Sequence, residues 1–251
     1  MENLSYQLYS SRNFPPLEDV LKRVADAGYT RVEGYGGLYA NLTDLDGLNR
    51  ALQSNGLHMA SGHFGLDMLE DDVDLVLSIA RTLKMKAIYC PFVMPEVRPT
   101  DGDGWRAFGK RLQAAGAPYL DAGVTFGWHN HDFEFVACSD GTVPQTAIFE
   151  GGPDLSWEVD VAWIVRGGGK PTDWFATHAD RITALHVKDI AAEGECQDED
   201  GWADVGHGVM DWPALIAAAK GTNAELFVME HDNPSDDTRF ATRSFATVSA
   251  L

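Results

Sequence analysis

The residues of this chain that could carry out chemistry are carboxylates and imidazoles at the ends of short apolar segments. Three acids, Glu134, Asp160 and Glu230, stand at or just beyond such ends, and His186 ends another segment. Isolated buried carboxylates are costly, so acids that meet in one place must be paired or bind a cation. Carboxylates with one imidazole and no thiolate suit Mn²⁺, Mg²⁺, Co²⁺ or Zn²⁺. We expect one divalent ion, with Mn²⁺ favoured.

The elements that must position these residues are eight short segments rich in β-branched and aromatic residues, which alternate with helical patterns. Strands are predicted at 4–9, 31–35, 57–63, 86–92, 124–131, 155–161, 182–188 and 225–231. Such alternation predicts a parallel sheet, and eight units in 251 residues predict a single (β/α)8 TIM barrel domain over residues 1–251. An open doubly wound sheet is disfavoured because no Gly-rich phosphate loop follows the first strand.

Helical periodicity fills the intervals between these strands. It is clearest at 17–28, where Leu17, Val20, Leu21 and Val24 fall on one face. Further helices are predicted at 43–56 with Thr43 as N-cap, 71–84, 104–123, 171–179, 211–221 and 236–251. The fifth crossover, 139–153, has a weak pattern and predicts a single short helix.

Reactive groups in such a barrel project from the C-terminal ends of the strands. Polar residues are concentrated there: Gln7, Glu33, His63, His129, His131, Glu134, Asp160, His186, Lys188, Glu230 and Asp232. His129 and His131 are two residues apart on a strand and therefore face the same side, as do His186 and Lys188. For each histidine taken alone, a hydrogen-bonded core position is the competing interpretation.

Several segments in this order resemble one known family. They are 127-GWHNHDFEF-135, 158-EVDVAW-163, 181-RITALHVKD-189, 205-VGHGVMDW-212 and 228-VMEHD-232, with 5-SYQLYSSR-12 and 61-SGHFGLD-67 nearer the start. The resemblance is to the xylose isomerase-like barrel superfamily, which includes ketose 3-epimerases, inosose isomerases and dehydratases, and enzymes acting on 3-keto-glycosides. It covers nearly the whole chain.

This resemblance implies a divalent metal held by one residue from each of the last four strands. Asp160, His186 and Glu230 match the ligands of strands six to eight. For the fifth strand the resemblance favours Glu134, with His129 as the alternative ligand. At His207 close relatives usually carry Glu, so this chain departs from the pattern there.

The resemblance also implies roles in the reaction. Glu230 and Glu134 are expected to act as the acid/base pair, with His131 as a further proton shuttle. The expected substrate contacts come from His63, His129, Trp163, Lys188 and His207. Trp163 is expected to form a stacking wall for a sugar, although a core position would explain it almost as well.

The implied activity is a metal-dependent isomerisation or epimerisation of a ketose, inosose or keto-sugar through removal of a proton next to a carbonyl. A lyase or dehydratase acting on an inosose or 3-keto-glycoside would begin with the same step. A non-catalytic sugar-binding barrel and a phosphodiester-cleaving enzyme on the same fold are weaker alternatives.

Net charge restricts the partners. With 19 basic and 38 acidic residues the chain carries −19, which repels nucleic acid and anionic membranes and favours a small sugar or polyol, unphosphorylated rather than phosphorylated.

The sequence shows neither a signal peptide pattern nor an apolar run of about 18 residues, so a cytoplasmic location is expected. A homodimer or homotetramer is also expected from the resemblance. The acidic segment 193–204 is predicted to be either a solvated loop or a lid over the site.

Overall fold

Eight parallel strands close into a barrel in the computed structural model, which describes residues 3–40 and 42–251. The barrel strands are β1 (Leu4–Gln7), β2 (Arg31–Gly34), β3 (His58–His63), β4 (Ala87–Cys90), β5 (Thr125–His129), β6 (Ser156–Asp160), β7 (Ile182–Val187) and β10 (Leu226–Met229). Their order around the barrel follows the chain, and β10 closes against β1. The predicted (β/α)8 architecture is therefore confirmed.

All eight predicted strands are present, but several end earlier than expected. Tyr9 lies in a short 3-10 helix, Leu8–Ser11, while His131 and Glu230 lie just beyond β5 and β10. These residues leave the hydrogen-bonded ladder and enter the loops at the C-terminal mouth of the barrel, where function is expected. After β7, a small antiparallel hairpin forms from β8 (Asp189–Ile190) and β9 (Trp202–Ala203).

Helices surround the barrel on its outer face. They are α1 (Leu17–Asp26), α2 (Gly36–Ala40), α3 (Leu45–Ser54), α4 (Leu66–Asp71), α5 (Val73–Leu83), α6 (Gly102–Asp121), α7 (Pro144–Gly151), α8 (Val161–Arg166), α9 (Pro171–His178), α10 (Trp212–Ala219) and α11 (Asp237–Ser249). The weak fifth crossover is the single short helix α7, as predicted. Thr43 is not the N-cap of α3; that position is Asp44, whose carboxylate accepts the Gly47 amide at 2.7 Å.

The core has two parts. The larger lies between strands and helices and includes the apolar face of α1, where Val20, Leu21 and Val24 are buried. The smaller consists only of residues from the barrel strands: Ala60, Ala87, Tyr89, Ala184, Leu226 and Val228. These side chains, three of them alanines, fill the barrel interior and leave its C-terminal end to polar groups.

Strand register determines which polar groups meet. Glu158 is opposite His129, and Asp160 is opposite His186. Glu158 and Asp160 alternate with outward-facing Val159, so both point to the barrel interior at successive levels. Among residues 3–40 and 42–251, no helix combines the length and apolar character needed to cross a bilayer.

Candidate active site

Two overlapping groups of buried side chains at the barrel mouth have the composition of a metal centre. The upper group is His129, Asp160, His186 and Glu230. The lower group, deeper in the barrel, is His63, His129, Glu158 and His186. Within each group the candidate ligand atoms lie within 4.8 Å of one another.

The upper group contains a buried carboxylate oxygen, Asp160 Oδ2, that accepts no hydrogen bond from the described residues and has Lys188 Nζ 3.9 Å away. Asp160 Oδ1 accepts the Trp163 amide at 2.9 Å and so begins α8, whereas Asp160 Oδ2 is buried and has no hydrogen-bond partner among the described residues. Glu230 Oε2 lies 3.0 Å from His186 Nδ1. An unsatisfied carboxylate oxygen beside a second carboxylate and two imidazoles is the arrangement expected of a site that takes a divalent cation.

The lower group is a network of carboxylates and imidazoles. Glu158 Oε2 is 2.5 Å from His63 Nε2, 3.1 Å from His129 Nδ1 and 3.3 Å from His186 Nε2. Glu33 Oε1 is 2.8 Å from His186 Nε2. The other contacts of Glu33 are the Gln7 amide at 2.8 Å, His63 Nε2 at 3.2 Å and the Ser61 hydroxyl, which donates to Oε2.

Burial and neighbouring charges shift the pKa values of the side chains in these two groups in different directions. Burial alone would lower the pKa of His186, but Glu158 and Glu230 outweigh it and hold that pKa well above its usual value. Burial raises the pKa of Asp160 to about 7. Burial also lowers the pKa of His129 to about 3, assisted by repulsion from His186, so the His129 imidazole is neutral and keeps a lone pair for a cation.

Glu230 is ionised in this surrounding. Burial would raise its pKa, but Lys188 and His186 hold it well below the usual range. The Lys188 ammonium lies 3.3 Å from Glu230 Oε2 and 2.6 Å from Asp232 Oδ1. It also faces the rings of Trp163 and Trp202, with 4.9 and 4.4 Å to their centroids.

The structure brings His129 to the upper group and leaves Glu134 outside both groups. Glu134 lies in a short 3-10 helix, Phe133–Phe135, beyond β5. Its Oε1 accepts the Trp128 indole at 3.1 Å and its Oε2 accepts the His131 amide at 3.0 Å. Both oxygens are therefore engaged at the edge of β5 rather than directed at Asp160, His186 and Glu230.

Glu134 has a testable effect on stability. Burial raises its pKa to about 8 from 4.5, so folding takes up a proton. The stabilisation is complete below pH 4.5 and is lost as pH rises through about 8. Unfolding free energy relative to the Glu134→Gln variant should fall by about 1.4 kcal/mol per pH unit between these values. Urea unfolding of both proteins at several pH values measures this; a difference independent of pH would contradict it.

A cavity of about 500 Å³ opens at the mouth above these groups. It is lined by Tyr9, Arg12, Tyr35, Gly36, Gly37, His63, Pro91, Phe92, His129, His131, Asp200, Glu230 and Asp232. Three of the expected contact residues are not among them: Lys188 is buried beside Asp232, Trp163 packs on Lys188, His131 and Trp202, and His207 is exposed on a turn. The aromatic wall of the cavity comes instead from Tyr9, Tyr35 and Phe92.

The sequence patterns did not predict the roles of two buried carboxylates, Glu33 and Glu158, in the site. Glu33 is visible as a polar strand end, but its contact with His186 joins elements from opposite halves of the chain. Glu158 was missed, although its position two residues before Asp160 is a usable signal because both then face the interior. Asp200, which lines the mouth, lies in the acidic segment after β7.

That acidic segment is held in place by buried ion pairs. Arg239 Nη2 lies 2.7 Å from Glu199 Oε1, and Arg239 Nε lies 2.9 Å from Asp204 Oδ2. Arg166 donates to the Asp200 carbonyl at 2.8 Å and stacks on Trp202. Glu199 and residues 202–204 are therefore buried against the barrel, whereas residues 193–195, 197 and 198 are exposed, and Asp200 lines the cavity.

Asp189 organises the rest of this loop. Its carboxylate accepts five hydrogen bonds of 2.8–3.3 Å, from the amides of Ile190, Gly206, Gly208 and Met210 and the indole of Trp212. Asp189→Ala should lower the unfolding free energy by about 3 kcal/mol because buried donors lose their acceptor. Asp211→Ala, which removes only the cap of α10, should cost about 1 kcal/mol. Equal losses in urea unfolding would contradict the role of Asp189.

Comparisons with known proteins bear on the fold rather than on the individual site residues. A family model described as a xylose isomerase-like TIM barrel matches residues 21–247. The rhizopine catabolism protein MocC of Rhizobium meliloti is 26% identical over 255 residues, which cover 88% of this chain and 76% of that protein.

Solved structures share the fold. A sugar phosphate isomerase/epimerase from Parabacteroides distasonis superposes with a TM-score of 0.84 at 20% identity, covering 100% of this chain and 95% of that one. The IOLI protein, solved with a bound zinc atom, superposes with a TM-score of 0.73 at 15% identity, covering 99% and 95% of the two chains.

Proposed function

This chain belongs to the family of xylose isomerase-like TIM barrels, and on that premise we propose that it is a divalent-metal-dependent sugar isomerase or epimerase. The observation that carries the proposal is Asp160 Oδ2, which lies buried among His129, His186 and Glu230 and accepts no hydrogen bond from the described residues, with Lys188 Nζ 3.9 Å away. These four residues would hold the ion. When bound, the ion would polarise the substrate carbonyl and its neighbouring hydroxyl and stabilise the negative charge that develops there.

Two imidazoles and two carboxylates make a more nitrogen-rich ligand set than the one that favoured Mn²⁺ from sequence. Imidazole ligands suit Zn²⁺ and Co²⁺, whereas carboxylates suit Mn²⁺ and Mg²⁺. With His129 in place of a fifth-strand carboxylate, we propose Zn²⁺, Co²⁺ or Mn²⁺ ahead of Mg²⁺. The zinc atom of the IOLI structure supports this order.

Glu230 is the proposed base. It lines the cavity, and Lys188 with His186 keeps it ionised, so its carboxylate can accept a proton from the substrate carbon next to the carbonyl. Lys188 itself is held by Asp232 and by the two indole rings, and the neighbouring carboxylates keep its pKa above the usual value. It therefore steadies Glu230 and remains protonated.

His131 is proposed to act as the second acid/base group, which returns a proton to the substrate. It lines the cavity, its buried Nδ1 has no hydrogen-bond partner in the part of the chain that the structure describes, and burial holds its pKa well below the usual value. A neutral imidazole can accept a proton and return it to a neighbouring carbon or to the opposite face. Glu134, expected from the resemblance to share this role, does not line the cavity.

The proposed substrate is a neutral sugar, polyol or keto-sugar. Three carboxylates, Asp200, Glu230 and Asp232, line the mouth against one guanidinium, that of Arg12. Arg12 already donates to the Tyr9 and Asp232 carbonyls and stacks on the Tyr9 ring. A phosphate would therefore meet repulsion with little compensation, whereas hydroxyl groups can donate to the carboxylates.

Incorporation of deuterium from heavy water tests this function directly. Metal-loaded protein is incubated with ketoses, inososes and 3-keto-glycosides, and exchange at the carbon next to the carbonyl is followed by NMR. Exchange with an isomerised product supports the proposal, and exchange with loss of water or of a glycoside supports the lyase alternative. Absence of exchange with every substrate class would favour a binding protein instead.

A further inference from the structure

Below the proposed metal ligands lies a buried carboxylate that the reaction does not use. Strand β6 directs two acids inward, Asp160 at the mouth and Glu158 one level deeper. Glu158 does not line the cavity, so it cannot touch substrate. Burying a carboxylate destabilises the folded state unless its charge is compensated, so we infer that Glu158 has a specific role.

The contacts of Glu158 point to that role. Its Oε2 lies 2.5 Å from Nε2 of His63, and it also lies 3.1 Å from Nδ1 of His129 and 3.3 Å from Nε2 of His186. Nδ1 of His186 faces Glu230, so the two nitrogens of this ring face opposite carboxylates. Glu33 adds a second acceptor on the Nε2 side of His186, at 2.8 Å.

A neutral imidazole has one N–H and one lone pair, and fixing the hydrogen on one nitrogen leaves the lone pair on the other. For His186, binding of the ion would displace the proton from Nδ1, because a histidine ligand must be neutral. We propose that Glu158, together with Glu33, is a positioning residue: it holds the hydrogens on His129 Nδ1 and His186 Nε2, so that His129 Nε2 and His186 Nδ1 are directed at the metal. Carboxylates behind histidine ligands are known to orient the ring and strengthen binding. This inference rests on the proposed metal site.

A second metal ion in the lower group is the competing arrangement. Glu158 Oε2 is within direct hydrogen-bond distance of His63 Nε2 and His129 Nδ1, at 2.5 and 3.1 Å, and forms an ion pair with His186 Nε2 at 3.3 Å. Both groups also require His129 and His186, and a ring whose two nitrogens both bound metal would have no hydrogen left for Glu158. These observations favour the hydrogen-bonded base, while Glu158 Oε1, which has no partner among the described residues, makes ion stoichiometry part of the test.

The test is metal binding by the whole chain, measured with Zn²⁺ in competition with a chelator. Glu158→Gln keeps the size of the side chain and is expected to weaken the Zn²⁺ Kd by about 10- to 100-fold with stoichiometry unchanged. Glu225→Gln, at an exposed acid before β10, is the matched control and should leave the Kd unchanged. In the metal-free protein, long-range ¹H–¹⁵N NMR should place the hydrogen on His129 Nδ1, and this preference should weaken in Glu158→Gln.

Glu33→Gln supplies a second variant, because it removes the other carboxylate behind His186 and should also weaken the Kd. An unchanged Kd in both variants, with one ion bound, would overturn this inference and leave the proposed function standing. Two ions in the wild type, one of them lost in Glu158→Gln, would overturn it in favour of a second ion site. A wild-type chain that binds no Zn²⁺, Co²⁺ or Mn²⁺ would overturn both.

Discussion

Asp160→Asn is expected to reduce divalent metal retained by the purified protein from about one ion per chain to a trace. Asparagine keeps the oxygen that accepts the Trp163 amide and so preserves the start of α8. It replaces the unpartnered Oδ2 by an amide nitrogen, which has no lone pair to offer a cation. The change therefore separates metal binding from helix capping.

Elemental analysis of protein purified without chelator measures this result, together with chelator competition for the residual affinity. Asp154→Ala is the matched control, since Asp154 is exposed just before the opposite end of the same strand. It should leave metal content unchanged. Full occupancy in Asp160→Asn, with unfolding behaviour like the wild type, would remove Asp160 from the metal site.

Glu230→Gln is expected to slow exchange of the substrate proton with solvent by about 100- to 10,000-fold at saturating metal. Glutamine retains an oxygen near His186 but cannot take up a proton in the neutral pH range. Because Glu230 is also a proposed ligand, metal affinity should fall as well, and rates must be compared at metal concentrations that saturate each protein. The remaining loss then reports on proton transfer.

Glu195→Gln is a suitable control, because Glu195 is an exposed acid on the same end of the barrel. It should exchange the substrate proton at the wild-type rate. If Glu230→Gln exchanged as fast as the wild type at saturating metal, the base would have to be sought elsewhere, and His131 would be the first candidate because it lines the same cavity.

The structure shows where the acidic residues that make up the net charge lie, which the composition does not. The total of −19 includes acids that serve as partners of buried cations, such as Glu199 and Asp204 around Arg239, and Asp232 beside Lys188. It also includes acids that line the mouth. The composition argues against anionic partners, but the location of these acids is what argues for a neutral substrate.

The sequence by itself determined the barrel and most of its strand ends. Alternating strand and helix patterns repeat eight times, and each pattern depends on local periodicity that can be read without knowing what lies opposite. The positions of Asp160, His186 and Glu230 at successive strand ends follow from the same rule, because parallel strands present their C-terminal ends at one mouth.

Only the tertiary structure places His129, and not Glu134, in the group with Asp160, His186 and Glu230. The two lie five positions apart on either side of the point where β5 ends, and the turn taken after that point directs Glu134 to Trp128 and the His131 amide. The contact of Glu33 with His186 and the placement of Trp163 against Lys188 were equally hidden, since each joins residues distant in the chain. Periodicity specifies which face a residue takes on its own element, whereas barrel closure, strand register and loop path specify which partner it meets there.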